Sequence, residues 1–346
     1  MRKRGWRSCG FMKRTLHDVN PNPPSMPNAN VGSKFGGAGV LTALVISSAL
    51  AYFWPAFGSA FDPFRLSPGM LSGLVVVTMF CLGLVVRQHE LTELRQRPLT
   101  VFLGVAVQCT VMPALAWLVV RTLGLDGPLS YGVLLCGCVP GAMASNVLTM
   151  TARGNVSYSV SLTSVATLLS PVTVPVALVV VAGLETGAEV FKPAKMAVTL
   201  LLTVVVPVIA GYWVKCRSEG VRRHAVAVAP LLATFALLWI IASVVAGNRD
   251  RLSQVAISLL AGLLVMNVLG YLGGYTAGRI AKMPEAMRRA LTLEVGMQNA
   301  GLGTMLAATL LGADSPAQIP TAAYTFGCML TGTLVAAVWA GKGRVG

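Results

Sequence analysis

Leu291-Thr-Leu-Glu-Val-Gly-Met-Gln-Asn-Ala-Gly-Leu-Gly303 is an apolar stretch that contains one carboxylate and three glycines. Glu294 is the only acidic residue of the chain that falls inside a hydrophobic run. A charged side chain is costly in hydrocarbon, so such a residue usually faces a protein-lined cavity and binds something there. The glycines that follow predict that the helix is interrupted next to this carboxylate.

The composition predicts an all-α polytopic membrane protein. The chain has 346 residues, of which 55% are hydrophobic and only 11% are charged, whereas soluble domains average about 25% charged residues. A membrane-spanning helix needs about 20 apolar residues. Runs of that kind predict ten transmembrane helices, at 39–57, 68–86, 99–120, 130–152, 157–183, 196–214, 225–246, 254–278, 286–311 and 318–340.

The distribution of the basic residues that give the net charge of +15 follows membrane topology. Nucleic acid is therefore not expected as a partner. With ten spans and a cytoplasmic N-terminus, 21 of the 27 Lys and Arg residues fall in cytoplasmic segments. This bias is what the positive-inside rule predicts. We therefore expect both termini in the cytoplasm, with the chain in the inner (cytoplasmic) membrane of a cell or, in a eukaryote, in an organelle membrane.

The chain divides into a tail and a membrane domain. Residues 1–37 are basic and rich in Asn and Pro, and they lack the apolar core of a signal peptide. We predict a disordered cytoplasmic tail for them, with translation starting at Met1 or Met12, and a membrane domain at 38–346.

The ten spans predict two inverted repeats of five, at about 38–184 and 193–341. Because five is odd, the second half starts from the opposite side of the membrane, a common plan in secondary transporters. Pro140-Gly141 and Glu294 both fall in the fourth span of their half. Gln108 and Asn267 are each a lone amide in the third. Spans four and nine are therefore predicted to be discontinuous and to form the binding site.

The polar residues within the spans favour an alkali cation. Hard oxygen ligands of low total charge suit Na⁺ better than a transition metal, and one carboxylate is too few for tight divalent binding. A proton and Na⁺ compete for binding to the Glu294 carboxylate, and the many surrounding oxygens favour Na⁺. The candidate donors are Gln108, Ser145, Asn146, Ser159, Thr163, Glu294, Gln298 and Asn299.

Three motifs resemble the bile acid:sodium symporter family, including its bacterial-type sodium-dependent organic anion transporters. They are Pro140-Gly-Ala-Met-Ala-Ser-Asn146, Ala152-Arg-Gly-Asn155 and Glu294-Val-Gly-Met-Gln-Asn-Ala-Gly-Leu-Gly303. The similarity runs from about residue 40 to residue 340. It implies a ten-helix fold of two inverted repeats, divided into a core and a panel domain, in which spans four and nine are broken and cross.

The resemblance also implies two sodium sites that share one carboxylate, with two Na⁺ as coupling ions and no cofactor. One site would consist of Ser145, Asn146, Ser159, Thr163 and Glu294. The other would consist of Gln108, Glu294, Gln298 and the carbonyls of Val295 and Met297.

The substrate cavity departs from the family pattern and should be less polar. Ala142 and Met143 replace the family's glycine and threonine, and Cys328 and Met329 stand where a histidine or another polar residue is common. Half-helix N-termini favour an anion, with Asn299 and the backbone near Ala144 as contacts. The candidate substrate-binding residues are Met143, Ala144, Asn299, Cys328 and Met329.

The function expected from these residues is sodium-coupled symport of a small organic anion by alternating access. The anion would be a 2-oxo acid, a pantoate-like acid or a bile or sterol acid. One alternative is a proton-coupled exporter of arsenite or organic anions with the same fold, for which Cys136, Cys138 and Cys328 leave room. Another is a membrane receptor that does not translocate its ligand. An enzyme is not expected, because a single membrane carboxylate and spans without histidine supply no protease machinery. The oligomeric state stays open.

Overall fold

The computed structural model of the chain is built from helices. It describes residues 37–57, 61–86, 92–183, 192–217, 219–252, 255–312 and 314–341, and in these ranges it contains no β-sheet. The predicted tail lies outside the described residues, apart from residue 37, where the first helix begins.

The helices are numbered along the chain. The first seven are α1 (Gly37–Phe53), α2 (Pro68–Val85), α3 (Thr92–Gln96), α4 (Pro98–Leu123), α5 (Gly127–Cys138), α6 (Ala144–Thr151) and α7 (Val156–Gly183). Next come α8 (Pro193–Leu200), a π-helical turn (Leu201–Val205), α9 (Val206–Arg217), α10 (Glu219–Gly247) and α11 (Arg249–Leu252). The last four are α12 (Ile257–Ile280), α13 (Glu285–Gly296), α14 (Ala300–Leu311) and α15 (Gln318–Gly341).

The prediction of a polytopic helical membrane protein is confirmed. Among the described residues, eight helices are long and apolar enough to cross a bilayer, and they coincide with eight of the ten apolar runs. The other two runs, 130–152 and 286–311, each contain two shorter helices: α5 with α6, and α13 with α14. These are the runs for which the sequence predicts an interruption.

The outward faces of the helices are apolar. In α7, for example, Val172, Val176 and Val180 recur every four residues and are all exposed. Residues at this spacing form one stripe along a helix. Because a soluble protein rarely exposes so much contiguous apolar surface, these stripes indicate contact with lipid.

The helices pack in two groups. Helix α2 packs against α9 and α10, and α1 packs against α10. In the other group, α12 packs against α4, α13 and α15, while α4 packs against α5 and α7. Small residues allow the closest approaches: a Cβ on Gly137 would lie 2.6 Å from the carbonyl oxygen of Met112. Gly137, in the Cys136-Gly-Cys138 segment, therefore allows close packing of α5 against α4.

Candidate functional site

The first helix break lies between α5 and α6, from Val139 to Met143. Helix α5 ends at Cys138, and the next helix begins at Ala144. Pro140 has no backbone N–H to donate and its ring clashes with the preceding turn, which explains why the helix stops here. The break therefore releases backbone groups in the interior of the protein that need other partners.

The second break lies between α13 and α14, at residues 297–299. Asn299 caps the N-terminus of α14, because its Oδ1 accepts a hydrogen bond from the N–H of Leu302 at 3.1 Å. Its side-chain NH₂ group makes no hydrogen bond within the described part of the chain. Asn299 thus begins the half-helix and keeps two donor hydrogens available.

The two breaks bind each other through their backbones. The N–H of Ala142 donates to the carbonyl of Met297 at 2.8 Å, and the N–H of Asn299 donates to the carbonyl of Pro140 at 2.8 Å. Together they form an isolated antiparallel bridge between Gly141 and Gln298. Unwound backbone is tolerated at membrane depth only when its polar groups are satisfied within the protein, and each break does this for the other.

Glu294 lies at this contact and is completely buried. The Ser145 hydroxyl donates to its Oε2 at 2.5 Å, and the Thr163 hydroxyl donates to its Oε1 at 2.7 Å. Gly141 allows the first break to approach, since a Cβ there would lie only 2.2 Å from Oε1. Among the described residues no Lys or Arg forms a salt bridge with Glu294.

The hydroxyl groups around Glu294 lie near more acceptor oxygens than they have hydrogens to donate. Besides Glu294, the Thr163 oxygen lies 3.0 Å from the carbonyl of Ser159 and 3.4 Å from the Oδ1 of Asn146. The Ser145 oxygen also lies 2.8 Å from the carbonyl of Ala142. Each hydroxyl carries one hydrogen, so the pocket is rich in oxygen lone pairs and poor in hydrogens. Such a pocket suits a hard cation.

A second buried group of oxygens adjoins Glu294. Gln108 of α4 is only 2% exposed, and its Nε2 lies 3.5 Å from the Oε1 of Gln298. Gln298 in turn donates to the carbonyl of Val295 at 3.1 Å. The Oε1 of Gln108 is buried without a hydrogen-bond partner beside a small cavity, which is also lined by Pro140.

Thr149 also belongs to this cluster, although it is not among the donors predicted from the sequence. Its hydroxyl lies 3.3 Å from that of Ser159. A signal was present, since Thr149 is four residues after Ser145 and therefore lies on the same face of α6. Asn267 and Tyr324 also belong to this region, because both donate to the carbonyl of Gly296. In the sequence, Asn267 is notable only as a lone amide within an apolar span, and no pattern points to Tyr324.

The predicted substrate-binding residues lie in different surroundings. Met143 and Ala144 are half-buried at the N-terminus of α6, where Met143 packs against a small buried cluster of α2 and α10 that consists of Cys81, Ala229 and Ala233. By contrast, Cys328 and Met329 of α15 are buried in the main hydrophobic core. Met143 and Ala144 are thus at a helix N-terminus that faces the other group of helices.

Comparison with known proteins matches this sequence to a transporter family. The model of the Sodium Bile acid symporter family matches residues 73–255. An uncharacterized sodium-dependent transporter of Bacillus subtilis, YocS, is 34% identical over 266 residues, which cover 77% of this chain and 81% of that protein.

More distant relatives come from plants and mammals. The "Probable sodium/metabolite cotransporter BASS1, chloroplastic" of Arabidopsis thaliana is 27% identical over 265 residues, 77% of this chain and 65% of the plant protein. The human sodium/bile acid cotransporter 4 is 27% identical over 234 residues, 66% of this chain and 53% of the human one. The family match covers more than half of the chain, and it contains the first break with its Ser145-Asn146 pair. This chain belongs to the sodium bile acid symporter family.

Proposed function

We propose that this protein is a sodium-coupled symporter of a small organic anion. The observation that carries the proposal is the buried Glu294 carboxylate, held at the contact of two helix breaks among oxygens that lack enough hydrogens. A buried carboxylate without a cationic side chain needs another partner. Na⁺ fits this need, because it binds several oxygens at once. A proton would supply a single hydrogen bond.

Two Na⁺ ions would share Glu294. The first would be held by oxygens of α6, α7 and α13, from Ser145, Asn146, Ser159, Thr163 and Glu294. The second would be held by Glu294, Gln108, Gln298 and the carbonyls of Val295 and Met297. The unpartnered Oε1 of Gln108 supports the second set, because a bound cation would satisfy it.

The substrate would be an anion held where the two half-helices begin. The N-termini of α6 and α14 carry partial positive charge, which attracts anions. Met143 and Ala144 stand at one of them, and the NH₂ group of Asn299 is available at the other. A carboxylate is the simplest group that accepts from both, which favours a 2-oxo acid, a pantoate-like acid or a bile or sterol acid. Cys328 and Met329 would contribute to the apolar side of the cavity.

Transport would proceed by alternating access. Ten crossings in two inverted repeats would place α1, α2, α8–α9 and α10 in a panel, and α4–α7 with α12–α15 in a core. The packing of α2 with α9 and α10, and of α12 with α4, α13 and α15, supports this division, while α8 packs against α7 at its boundary. Sodium would fix the breaks and complete the anion site, and the core would then move against the panel. Both termini would face the cytoplasm, since the Lys and Arg residues concentrate in the segments on that side.

The test is uptake into liposomes by Glu294→Gln under an inward Na⁺ gradient. The labelled probes are pyruvate, pantoate and cholate, one for each candidate class. The glutamine keeps the shape but removes the charge, so uptake should fall about ten-fold or more. Glu285→Gln is the matched control, because Glu285 lies in the same helix but pairs with Arg288 and Arg289 at its half-exposed start. Wild-type uptake by Glu294→Gln would refute the proposal.

A further inference from the structure

The carbonyl of Gly296, at the end of α13, accepts hydrogen bonds from two other helices. Asn267 of α12 donates through Nδ2 at 2.8 Å, and Tyr324 of α15 donates through its hydroxyl at 2.7 Å. The last carbonyls of a helix have no partner within it, and leaving one buried without a partner is costly. Here both lone pairs of the oxygen are used, so this carbonyl is held in one direction and is not available to an ion.

The two donors are themselves held in place. Thr331 donates to the Oδ1 of Asn267 at 2.6 Å, which orients the amide. The Nδ2 of Asn267 also lies 3.3 Å from the hydroxyl oxygen of Tyr324, which can accept from it while its own hydrogen goes to Gly296. Asn267 and Tyr324 are each only 1% exposed. A buried network whose members are all satisfied is rigid.

This network constrains the carbonyls on either side of Gly296. Each peptide unit is planar, so neighbouring carbonyls can differ in direction only through the φ and ψ angles between them. Fixing the direction of the Gly296 carbonyl therefore restricts the directions of the Val295 and Met297 carbonyls. Helix α15 adds a second constraint, because Gly332 packs directly against the side chain of Met297.

We propose that Asn267 and Tyr324 are positioning residues for sodium binding. They would aim the carbonyls of Val295 and Met297 at the ion without touching it. They would also couple α12 and α15 to the occupancy of the site. This inference rests on the proposed function, because it requires that Na⁺ bind at these carbonyls.

The test is sodium-dependent thermal stability of the purified full-length protein. Unfolding is followed while NaCl replaces KCl at constant ionic strength, without any organic substrate. Tyr324→Phe removes one donor to Gly296, and Thr331→Val releases the amide of Asn267. Each should raise the Na⁺ concentration for half-maximal stabilisation about three- to ten-fold, the effect of one lost hydrogen bond. Tyr275→Phe is the matched control, because Tyr275 lies on α12 but stacks on Trp339. The Na⁺ concentration for half-maximal stabilisation of this variant should stay at the wild-type value.

The outcomes separate the two proposals. If Na⁺ stabilises the wild-type protein no more than K⁺ does, the proposed function fails, and the positioning role fails with it. If the wild type responds but Tyr324→Phe is half-saturated at the same Na⁺ concentration, only the positioning role fails, even if its unfolding temperature is lower throughout. If Tyr324→Phe does not fold, Thr331→Val decides by the same criterion.

Discussion

At the scale of single residues, the position of the Glu294 carboxylate depends on Gly141. The carboxylate can sit at the contact of the two breaks only because Gly141 has no side chain to occupy the same space. The hydroxyls of Ser145 and Thr163 then reach its two oxygens from two different helices. A glycine that appears in sequence to loosen the helix also makes room for the charge.

We predict that Gly141→Ala destabilises the protein and weakens its response to Na⁺. The new Cβ would lie 2.2 Å from Oε1 and 2.7 Å from the carboxyl carbon of Glu294, so the two breaks must separate. Overpacking of this kind costs about 1–3 kcal/mol. Thermal unfolding with and without Na⁺ measures both effects.

The matched control is Gly327→Ala in α15, where a Cβ would meet nothing within 4 Å. It should unfold at or slightly above the wild-type temperature, because alanine favours helix. Equal stability and an equal Na⁺ response in both variants would show that the space beside Glu294 is not restrictive.

At the scale of helices, the second motif of the resemblance connects α13 to the loop between α6 and α7. Arg289 donates to the carbonyl of Ala152 at 2.9 Å, and the N–H of Asn155 donates to the carbonyl of Ala286 at 2.8 Å. The side chain of Asn155 also accepts from the N–H of Tyr158 at the start of α7. The three helices that carry Glu294, Ser145 and Thr163 are thus joined at one end, which keeps the carboxylate and the hydroxyls in register.

Glycines also set the distance between α2 and α9. A Cβ on Gly83 would lie 2.1 Å from the carbonyl of Val208, and one on Gly211 would lie 2.2 Å from the carbonyl of Phe80. We predict that Gly83→Ala lowers the unfolding temperature, because the helices cannot separate without losing contacts along their length.

The control for this contact is Gly73→Ala on the same helix, where a Cβ would meet nothing within 4 Å. Its unfolding temperature in detergent should equal or exceed that of the wild type. A Gly83→Ala protein as stable as Gly73→Ala would mean that the two helices do not pack this closely.

At the scale of the whole molecule, the distribution of basic residues predicts the orientation in the membrane. Cys216 is exposed at the end of α9 beside Lys215 and Arg217, on the side predicted to be cytoplasmic. In a Cys9→Ser background, we predict that a membrane-impermeant maleimide labels Cys216 in inside-out vesicles but not in intact cells.

The complementary control places a cysteine on the opposite side. Lys192 is exposed just before α8 and is predicted to face outward. Lys192→Cys, in a chain that also carries Cys9→Ser and Cys216→Ser, should be labelled in intact cells. Labelling of Cys216 from the outside would reverse the predicted orientation.

The sequence by itself determined the helical membrane class, the positions of the helix breaks and the presence of one carboxylate, Glu294, within an apolar run. These features follow from the composition, from the way proline interrupts a helix, and from one charged residue in an apolar run. All of them can be identified from short stretches of the chain. Only the tertiary structure decided that the breaks exchange backbone hydrogen bonds, that Thr149 faces Ser159, and that Tyr324 holds Gly296. Contacts of this kind depend on how helices pack, and no local pattern of residues specifies which side chain will meet which backbone group across the bundle.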